Sequence, residues 1–125
     1  MKIGHSLLDS EHEHIVGLIS DFGYKIKNHI VWRDVMNMYG EIVDCLLEHF
    51  VREEQIMVSA KYPYTDPHRS EHSYLFERLT AMTLQLEAEC AGAEEDIILF
   101  LDEWFYTHVM ISDRKFAEYL ARRLK

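Results

Sequence analysis

The chain has 125 residues and a formal charge of −9, with 22 acidic and 13 basic side chains. This length predicts one domain spanning residues 1–125, and the negative charge argues against nucleic acid or an anionic membrane surface as a partner. Because the N-terminus lacks the apolar run of a secretory signal and no stretch is apolar for the length of a membrane span, we expect a cytoplasmic protein.

The first amphipathic segment covers residues 9–30. Its apolar residues recur with the 3.6-residue period of a helix, and His12 lies within the same stripe. Ser6 and Asp9, three positions apart, are placed to form a capping box at its start. A break is expected within residues 28–34. The segment is therefore predicted to be the first helix, with His12 turned inward.

The second apolar stripe covers residues 35–57 and includes His49 and Glu53. An imidazole and a carboxylate on the buried face of a helix lose their hydration, which is strongly unfavourable unless other groups satisfy them. Two residues four apart on a helix differ in direction by only about 40°, so these two side chains can converge on one point. The second helix is therefore predicted to bring a polar pair into the core.

The third segment is predicted to begin at Pro67 with Asp66 as its N-cap, because proline suits the first helical position. His68 and His72 repeat the four-residue spacing on the apolar face. The stripe continues to a break at Ala91-Gly92, where glycine suits a helix terminus. Here too, histidines occupy positions where core residues are expected.

The fourth segment starts near residue 93, carries His108 on its inner face and is followed by a short amphipathic tail. His108 and Asp113 are about 140° apart on an ideal helix, so both can face inward only if the helix breaks or bulges near Ile111-Ser112. Short connections and the absence of a strand pattern predict an all-α fold. We expect an antiparallel up-down-up-down four-helix bundle with a short C-terminal helical tail.

The two cysteines, Cys45 and Cys90, are far apart and form no C-x-x-C pattern. Both lie in apolar-periodic stretches, which predicts buried, reduced thiols rather than a disulfide. Cys45 is one turn before His49 on the same face, and a packing role is favoured over a redox role.

The inward polar residues form a set suited to metal binding: His12, His49, Glu53, His68, His72, His108 and Asp113. Taken singly, each histidine would more often be a hydrogen-bonded structural residue. Taken together, five imidazoles and two acids in one small core incur several desolvation penalties, which metal ions would relieve. Imidazole and carboxylate donors without a thiolate favour iron over a soft metal.

The number of donors indicates two metal ions with a vacancy. Two octahedral ions have about twelve coordination positions, of which the histidines fill about five, two bridging carboxylates about four and a bridging oxide or hydroxide about two. One position stays open, which is what a small diatomic molecule needs in order to bind at reduced iron. The set is therefore predicted to bind a ligand rather than only to stabilise the fold.

These residues occur in the following motifs: Leu8-Asp9-Ser10-Glu11-His12, His49 through Met57, Tyr62-Pro63 leading to His68-Arg69-Ser70-Glu71-His72, and Trp104 through His108 to Asp113. The motifs resemble those of the hemerythrin family, in particular its stand-alone bacterial members. The resemblance covers nearly the whole chain and includes every ligand position in order and spacing. It implies a single hemerythrin-like domain over residues 1–125.

The resemblance also implies a function: reversible O2 binding, for storage, delivery or sensing, without enzymatic turnover. O2 would bind to two iron ions joined by a bridging oxide or hydroxide, and nitric oxide is a possible further ligand. The implied ligands are His68, His72 and His108 for one iron, His12 and His49 for the other, and Glu53 and Asp113 as bridges. The iron held by only two histidines would keep the open position.

The chain departs from the family pattern at two positions. Family members often have Trp-Leu shortly before the fourth-segment histidine, whereas this chain has Trp104-Phe105, and the usual glutamine before the first histidine is Glu11. By position, Ile15, Phe50 and Phe105 line the O2 pocket. The larger ring at position 105 is therefore expected to narrow that pocket and to change ligand kinetics.

Three other functions remain open. A di-iron oxidase or peroxidase-like enzyme could use the same site, but ferritin-like oxidases have repeated Glu-x-x-His pairs, and the single such pair here, Glu11-x-x-His14, has His14 on the solvent side. A nitric-oxide or redox sensor would need a separate partner protein, because one domain leaves no room for an output domain. A zinc or other metal buffer would be identified by metal analysis.

Overall fold

The computed structural model describes residues 2–28 and 31–123, which are mostly helical and contain no strand. The helices are α1 (Ser6–Lys27), α2 (Trp32–Ser59), α3 (Thr65–Glu87), α4 (Ala93–Thr107) and α5 (Arg114–Arg123). A π-helical segment, His108–Asp113, joins α4 to α5. α1 packs against α2 and α4, and α3 packs against the same two helices. This arrangement closes an antiparallel four-helix bundle and confirms the predicted fold class.

The core is built from one apolar face of each bundle helix. Its fully buried side chains include Phe22, Leu46, Leu75 and Leu101, one from each helix. Each such side chain contributes about 1.5–3 kcal/mol of hydrophobic free energy. A second, smaller cluster forms beside α5, and its buried members are Leu8, Met57, Tyr62 and Phe116. Along the helices, the predicted site residues fall between these two clusters. No described helix is both long enough and apolar enough to cross a membrane.

The connections between the helices are short. α1 ends at Lys27 and α2 begins at Trp32, within the predicted break; the predicted helix end at Ile30 lies outside the described residues. The second connection covers residues 60–64. In the third, residues 88–92, Gly92 has a φ of 79°, a left-handed conformation that glycine adopts without steric cost. The predicted break at this glycine is confirmed.

The start of α1 differs from the prediction. The helix begins at Ser6 rather than Asp9, and its N-cap is His5, whose Nδ1 accepts the N–H of Leu8 at 3.3 Å. The Asp9 carboxylate instead accepts the N–H groups of Ile3-Gly4, at 2.8 and 3.2 Å. The predicted capping box is therefore wrong, because Asp9 lies inside the first turn and holds the preceding segment against the helix.

The start of α3 also differs. The helix begins at Thr65 rather than Pro67, with Tyr64 at the N-cap, so Asp66 is not the capping residue. The Thr65 hydroxyl donates to the carbonyl of Tyr62 at 2.7 Å. Proline is accommodated at the third helical position because the first N–H groups of a helix have no intrahelical acceptor.

Both cysteines are free, but only one is partly buried. Cys45 is half-buried in α2, and its Sγ lies 3.8 Å from Nε2 of His14, which is exposed as predicted. Cys90 is exposed, so the prediction of a buried thiol is wrong there. α3 ends at Glu87, before its apolar stripe would reach that position.

Candidate metal centre

The fold brings all the predicted site residues into one buried cluster: His12 from α1, His49 and Glu53 from α2, His68 and His72 from α3, and His108 and Asp113 from the π-helical segment. None of them is more than 3 % exposed. Their donor atoms form two overlapping groups, each with all of its donor atoms within 4.8 Å of one another. One group contains three histidines and the other contains two. The two groups share Glu53 and Asp113.

The two shared carboxylates each face both histidine groups. Glu53 Oε1 lies 2.7 Å from Nε2 of His68, while its Oε2 lies 3.4 Å from Nε2 of His49. Asp113 repeats this arrangement, with Oδ1 at 2.9 Å from His68 Nε2 and Oδ2 at 3.0 Å from Nε2 of His12. Each of the two carboxylates can therefore offer one oxygen to a cation in the first histidine group and its other oxygen to a cation in the second.

Asp113 reaches the cluster because the helix is wider between His108 and Asp113. These residues begin and end the π-helical segment, in which hydrogen bonds join residues five apart. The wider turn places both side chains on the inner face, with His108 Nε2 at 3.0 Å from Asp113 Oδ1. The predicted break near Ile111-Ser112 is confirmed and takes the form of this bulge. Such bulges occur frequently at functional sites.

Three glutamates outside the cluster accept hydrogen bonds from site histidines on neighbouring helices. The contacts to Nδ1 are Glu11 to His49 at 2.9 Å, Glu54 to His72 at 3.0 Å and Glu71 to His108 at 2.9 Å. When Nε2 binds a cation, each glutamate accepts the Nδ1–H of a neutral imidazole, so that the Nε2 lone pair faces the cluster. These glutamates therefore fix both the orientation and the tautomer of the histidines.

Sequence reasoning missed two of these glutamates and named Glu11 only as a departure from the family. A signal was present, since each glutamate is adjacent in sequence to a site residue: Glu11 to His12, Glu54 to Glu53 and Glu71 to His72. Adjacent residues on a helix point about 100° apart. When one side chain points to the bundle centre, its neighbour can therefore point along the interface with the next helix.

Each glutamate is also held by a second donor. The donors are Arg52 Nε to Glu11, Arg69 Nε to Glu54 at 3.0 Å, and Ser112 Oγ to Glu71 at 2.6 Å. The hydrogen bond from His108 lowers the pKa of Glu71 against the opposing effect of burial, so this carboxyl stays ionised. The outer carboxylates are thus fixed before any metal binds.

The cluster lacks the hydrogen bonds that would satisfy it without a cation. Among the described residues, neither oxygen of Glu53 nor of Asp113 has a hydrogen-bond partner, although imidazole nitrogens lie 2.7 to 3.4 Å away. His72 and His108 have their Nε2 atoms 3.0 Å apart, each with Nδ1 facing a glutamate. With a cation bound, both imidazoles would be neutral and would turn their Nε2 lone pairs towards it, so one cation beside them would satisfy both.

The spacing of the donors also fits metal ions. Ligand atoms about 2.1 Å from one ion and at right angles to each other lie about 3 Å apart. The contacts within the cluster range from 2.7 Å, between His68 and Glu53, to 3.4 Å, between His49 and Glu53. The residues present therefore fit bound cations.

The electrostatics of the cluster favour positive charge at its centre. Burial by itself lowers the pKa of His108, but the charge of Asp113, together with Glu71, outweighs it and raises the pKa to about 10. Burial and Asp113 oppose the ionisation of Glu53, but the surrounding imidazoles lower its pKa to about 2. In the metal-free protein a protonated His108 therefore lies beside the ionised Glu53 and Asp113, where cations would otherwise bind.

Aromatic and aliphatic side chains enclose the cluster. The Phe50 ring stacks on His72 with a centroid distance of 3.8 Å, and the Phe105 ring meets His12 edge-on at 5.7 Å. Ile15, one turn after His12 on α1, belongs to the same buried core. The three residues predicted to line an O2 pocket thus all lie in the apolar core beside the site.

This fold and this site together define a class: four-helix-bundle proteins with a buried cluster of histidine and carboxylate ligands for cations. The family model for the hemerythrin HHE cation binding domain matches residues 4–120. The chain belongs to the hemerythrin family.

Several curated relatives have the name Bacteriohemerythrin. The protein from Stenotrophomonas maltophilia (strain R551-3) is 23% identical over 124 residues, which cover 99% of this chain and 80% of that protein. The one from Pseudomonas aeruginosa (strain LESB58) is 25% identical over 121 residues, covering 94% and 76% of the two chains. The one from Campylobacter jejuni subsp. jejuni is 18% identical over 125 residues, covering 100% and 94%. No solved structure gives a significant match to the chain.

Proposed function

We propose that this protein binds O2 reversibly at a pair of iron ions. Membership of the hemerythrin family and similarity to proteins named Bacteriohemerythrin support the proposal. The observation that carries it is the division of the cluster into two histidine groups that share Glu53 and Asp113. A single cation would leave one of these groups unsatisfied.

In this proposal, one ion would be held by His68, His72 and His108 and the other by His12 and His49, with Glu53 and Asp113 shared between them. The group with two histidines has fewer protein donors and would therefore leave room for O2. Bound ferrous iron would supply the electrons with which O2 is held.

The chain's own residues would control this chemistry in two ways. Glu11, Glu54 and Glu71 orient the imidazoles, and an outer carboxylate also increases the basicity of the ligand it contacts. Ile15 and Phe105, both buried, exclude water from the two-histidine side, which slows irreversible oxidation of the site. We propose binding rather than catalysis, because ferritin-like oxidases use more carboxylates and fewer histidines.

An optical titration tests the proposed function. Anaerobically reduced protein should be colourless, should develop a coloured adduct with O2 and should lose that colour under argon, with about two irons per chain. A coloured product that persists under argon would contradict reversible binding and indicate an oxidase or a redox sensor. Protein isolated after iron-replete growth with zinc in place of iron would also contradict the proposal.

Glu11→Gln is expected to lower the affinity of the site for the ion that His49 would bind. The substitution replaces a charged acceptor at Nδ1 by a neutral one that still accepts the hydrogen bond, so we expect the low end of the range, about 10-fold in metal affinity, that outer partners contribute. The rate of iron loss to a chelator should rise by about that factor, and the reduction potential should rise as well. Glu48→Gln, the same charge change at an exposed position of α2, is the control. If both variants have equal effects, Glu11 acts only through its charge and not through its hydrogen bond to His49.

Phe105→Leu is expected to widen the space beside His12. The two ring centroids lie 5.7 Å apart, and leucine leaves part of the volume of the phenyl ring empty. O2 dissociation and autoxidation should both become several-fold faster, as measured by stopped-flow absorbance and by the decay of the oxygenated spectrum. Phe100→Leu, a half-buried position on the same helix, controls for lost packing. If neither rate changes in the Phe105 variant, the ring does not limit the ligand space.

A further inference from the structure

Two site histidines, His12 and His68, have no outer glutamate among the described residues, and of the two only His12 has a buried Nδ1 without a hydrogen-bond partner. α1 supplies a glutamate to a histidine of α2, α2 supplies one to α3, and α3 supplies one to the segment after α4. No described residue takes the corresponding role for His12 on α1. Its Nδ1 is buried and has no hydrogen-bond partner in the described part of the chain. The ring of outer carboxylates is therefore open on the side of α1.

A cavity of about 190 Å³ lies against this histidine. Lys2, His12, Glu13 and Val16 line it, so that α1 forms one wall and the residue at the N-terminal end of the described chain forms another. His12 itself is only 1% exposed. The cavity thus lies between the exposed Lys2 and a face of the cluster where no carboxylate contacts Nδ1 of the imidazole.

Cavities also lie beside two other site histidines, but neither histidine has a buried Nδ1 without a hydrogen-bond partner. The cavity next to His49, about 230 Å³, is lined by Glu11 and Glu48, and Glu11 already occupies the Nδ1 of that histidine. The cavity next to His68, about 220 Å³, includes the Glu71 carboxylate in its wall. The His49 cavity combines two glutamates and Arg52 with a covered imidazole, whereas the His12 cavity combines an uncovered imidazole with one lysine and one glutamate.

The segment that carries Lys2 is fastened to α1 at defined points. The Asp9 carboxylate accepts the N–H groups of Ile3-Gly4 at 2.8 and 3.2 Å, and the Ile3 side chain packs against both apolar clusters. Gly4 has a φ of 96°, a conformation that lets the chain turn back along the helix. The outer wall of the cavity is therefore held by a few contacts that a single substitution can remove.

We propose that this cavity is the port through which small ligands, and small anions in particular, reach the His12 side of the site, with residues 2–5 as its movable wall. Lys2 offsets the charge of Glu13 at the mouth of the cavity, so an anion meets less repulsion there than over the rest of a protein whose formal charge is −9. The ligand class is a linear or diatomic species small enough to pass the imidazole ring. The inference rests on the proposed function, since it supplies a route to the open position.

Azide binding to the iron-loaded, oxidised protein tests the role of Lys2. Lys2→Glu should slow azide association about fivefold at low ionic strength, and salt should reduce the difference, because the effect is electrostatic. The association of uncharged O2 with the reduced protein should stay unchanged. Lys115→Glu is the matched control, because this exposed lysine lines the cavity beside His68. If Lys2→Glu does not slow azide association, or if Lys115→Glu slows it equally, the proposal that this cavity is the port is wrong.

Asp9→Ala tests the movable wall. The N-terminal peptide should exchange its amide hydrogens faster, as measured by mass spectrometry. Azide association and dissociation should both accelerate by the same factor at an unchanged Kd. A wider route lowers the barrier in both directions but leaves the free energies of the free and the azide-bound protein unchanged. Faster exchange with unchanged azide rates would overturn the gating role, and unchanged exchange would show that the anchor does not hold the wall. Protein without two irons would instead contradict the proposed function, while the exchange measurement would still report on the segment.

Discussion

Asp113→Asn is expected to lower the iron content from about two ions per chain to one or fewer and to abolish reversible O2 binding. Asp113 is one of two residues shared by both donor groups, with Oδ1 facing His68 and His108 and Oδ2 facing His12. Asparagine keeps the shape of the side chain but offers a single oxygen. Its NH2 group would face an imidazole lone pair where a second oxygen is needed.

Elemental analysis and the optical spectrum of the reduced protein under O2 check this result. Asp102→Asn, the same charge change at an exposed position of α4, should leave both measurements unchanged. Circular dichroism of the two metal-free variants controls for misfolding and should show equal helix content. An Asp113→Asn protein that retains its full iron content and a reversible adduct would disprove the bridging role.

Removal of iron is expected to lower the Tm of the wild-type protein by about 15 °C near neutral pH. A ligand bound at about 1,000 times its Kd stabilises a fold by about 4 kcal/mol, and each kcal/mol shifts the Tm of a domain of this size by about 4 °C. The metal-free protein keeps five imidazoles and two carboxylates buried at its centre without the cations that would satisfy them. Thermal unfolding before and after chelation measures the shift.

The metal-free protein should also show a distinct pH dependence. The pKa of His108 is raised from 6.5 to about 10 because Asp113 and Glu71 outweigh burial, so its stabilising contribution is complete below pH 6.5 and is lost as the pH rises through about 10. The pKa of Glu53 is lowered from 4.5 to about 2, so its contribution is present above pH 4.5 and is lost as the pH falls through about 2. The free energy of unfolding should therefore be highest between pH 4.5 and 6.5.

Denaturant titrations over this pH range, with the iron-loaded protein as the comparison, measure the effect. In the loaded protein the imidazoles carry metal ions in place of protons, so its free energy of unfolding should change little between pH 6.5 and 10. A metal-free protein that is as stable at pH 10 as at pH 6 would show that the histidines are not protonated in its folded state.

The helical bundle and the inward positions of the seven polar residues could be predicted from the sequence, because both depend on local geometry. The 3.6-residue period gives each helix one buried face, and the four-residue spacing of His49 with Glu53 and of His68 with His72 places those pairs on that face. The five-residue spacing of His108 and Asp113 could not fit an ideal helix, and this conflict predicted the bulge. Their roles as ligands remain our proposal.

Other features were decided only by the tertiary structure. The sequence places Glu54 beside Glu53 on α2, but the pairing of Glu54 with His72 depends on the rotation and relative height of α2 and α3. The attachment of Lys2 over His12 likewise depends on the packing of Ile3 against both apolar clusters. Periodicity sets the direction of a side chain on its own helix, whereas its partner on the next helix is set by how the two helices pack.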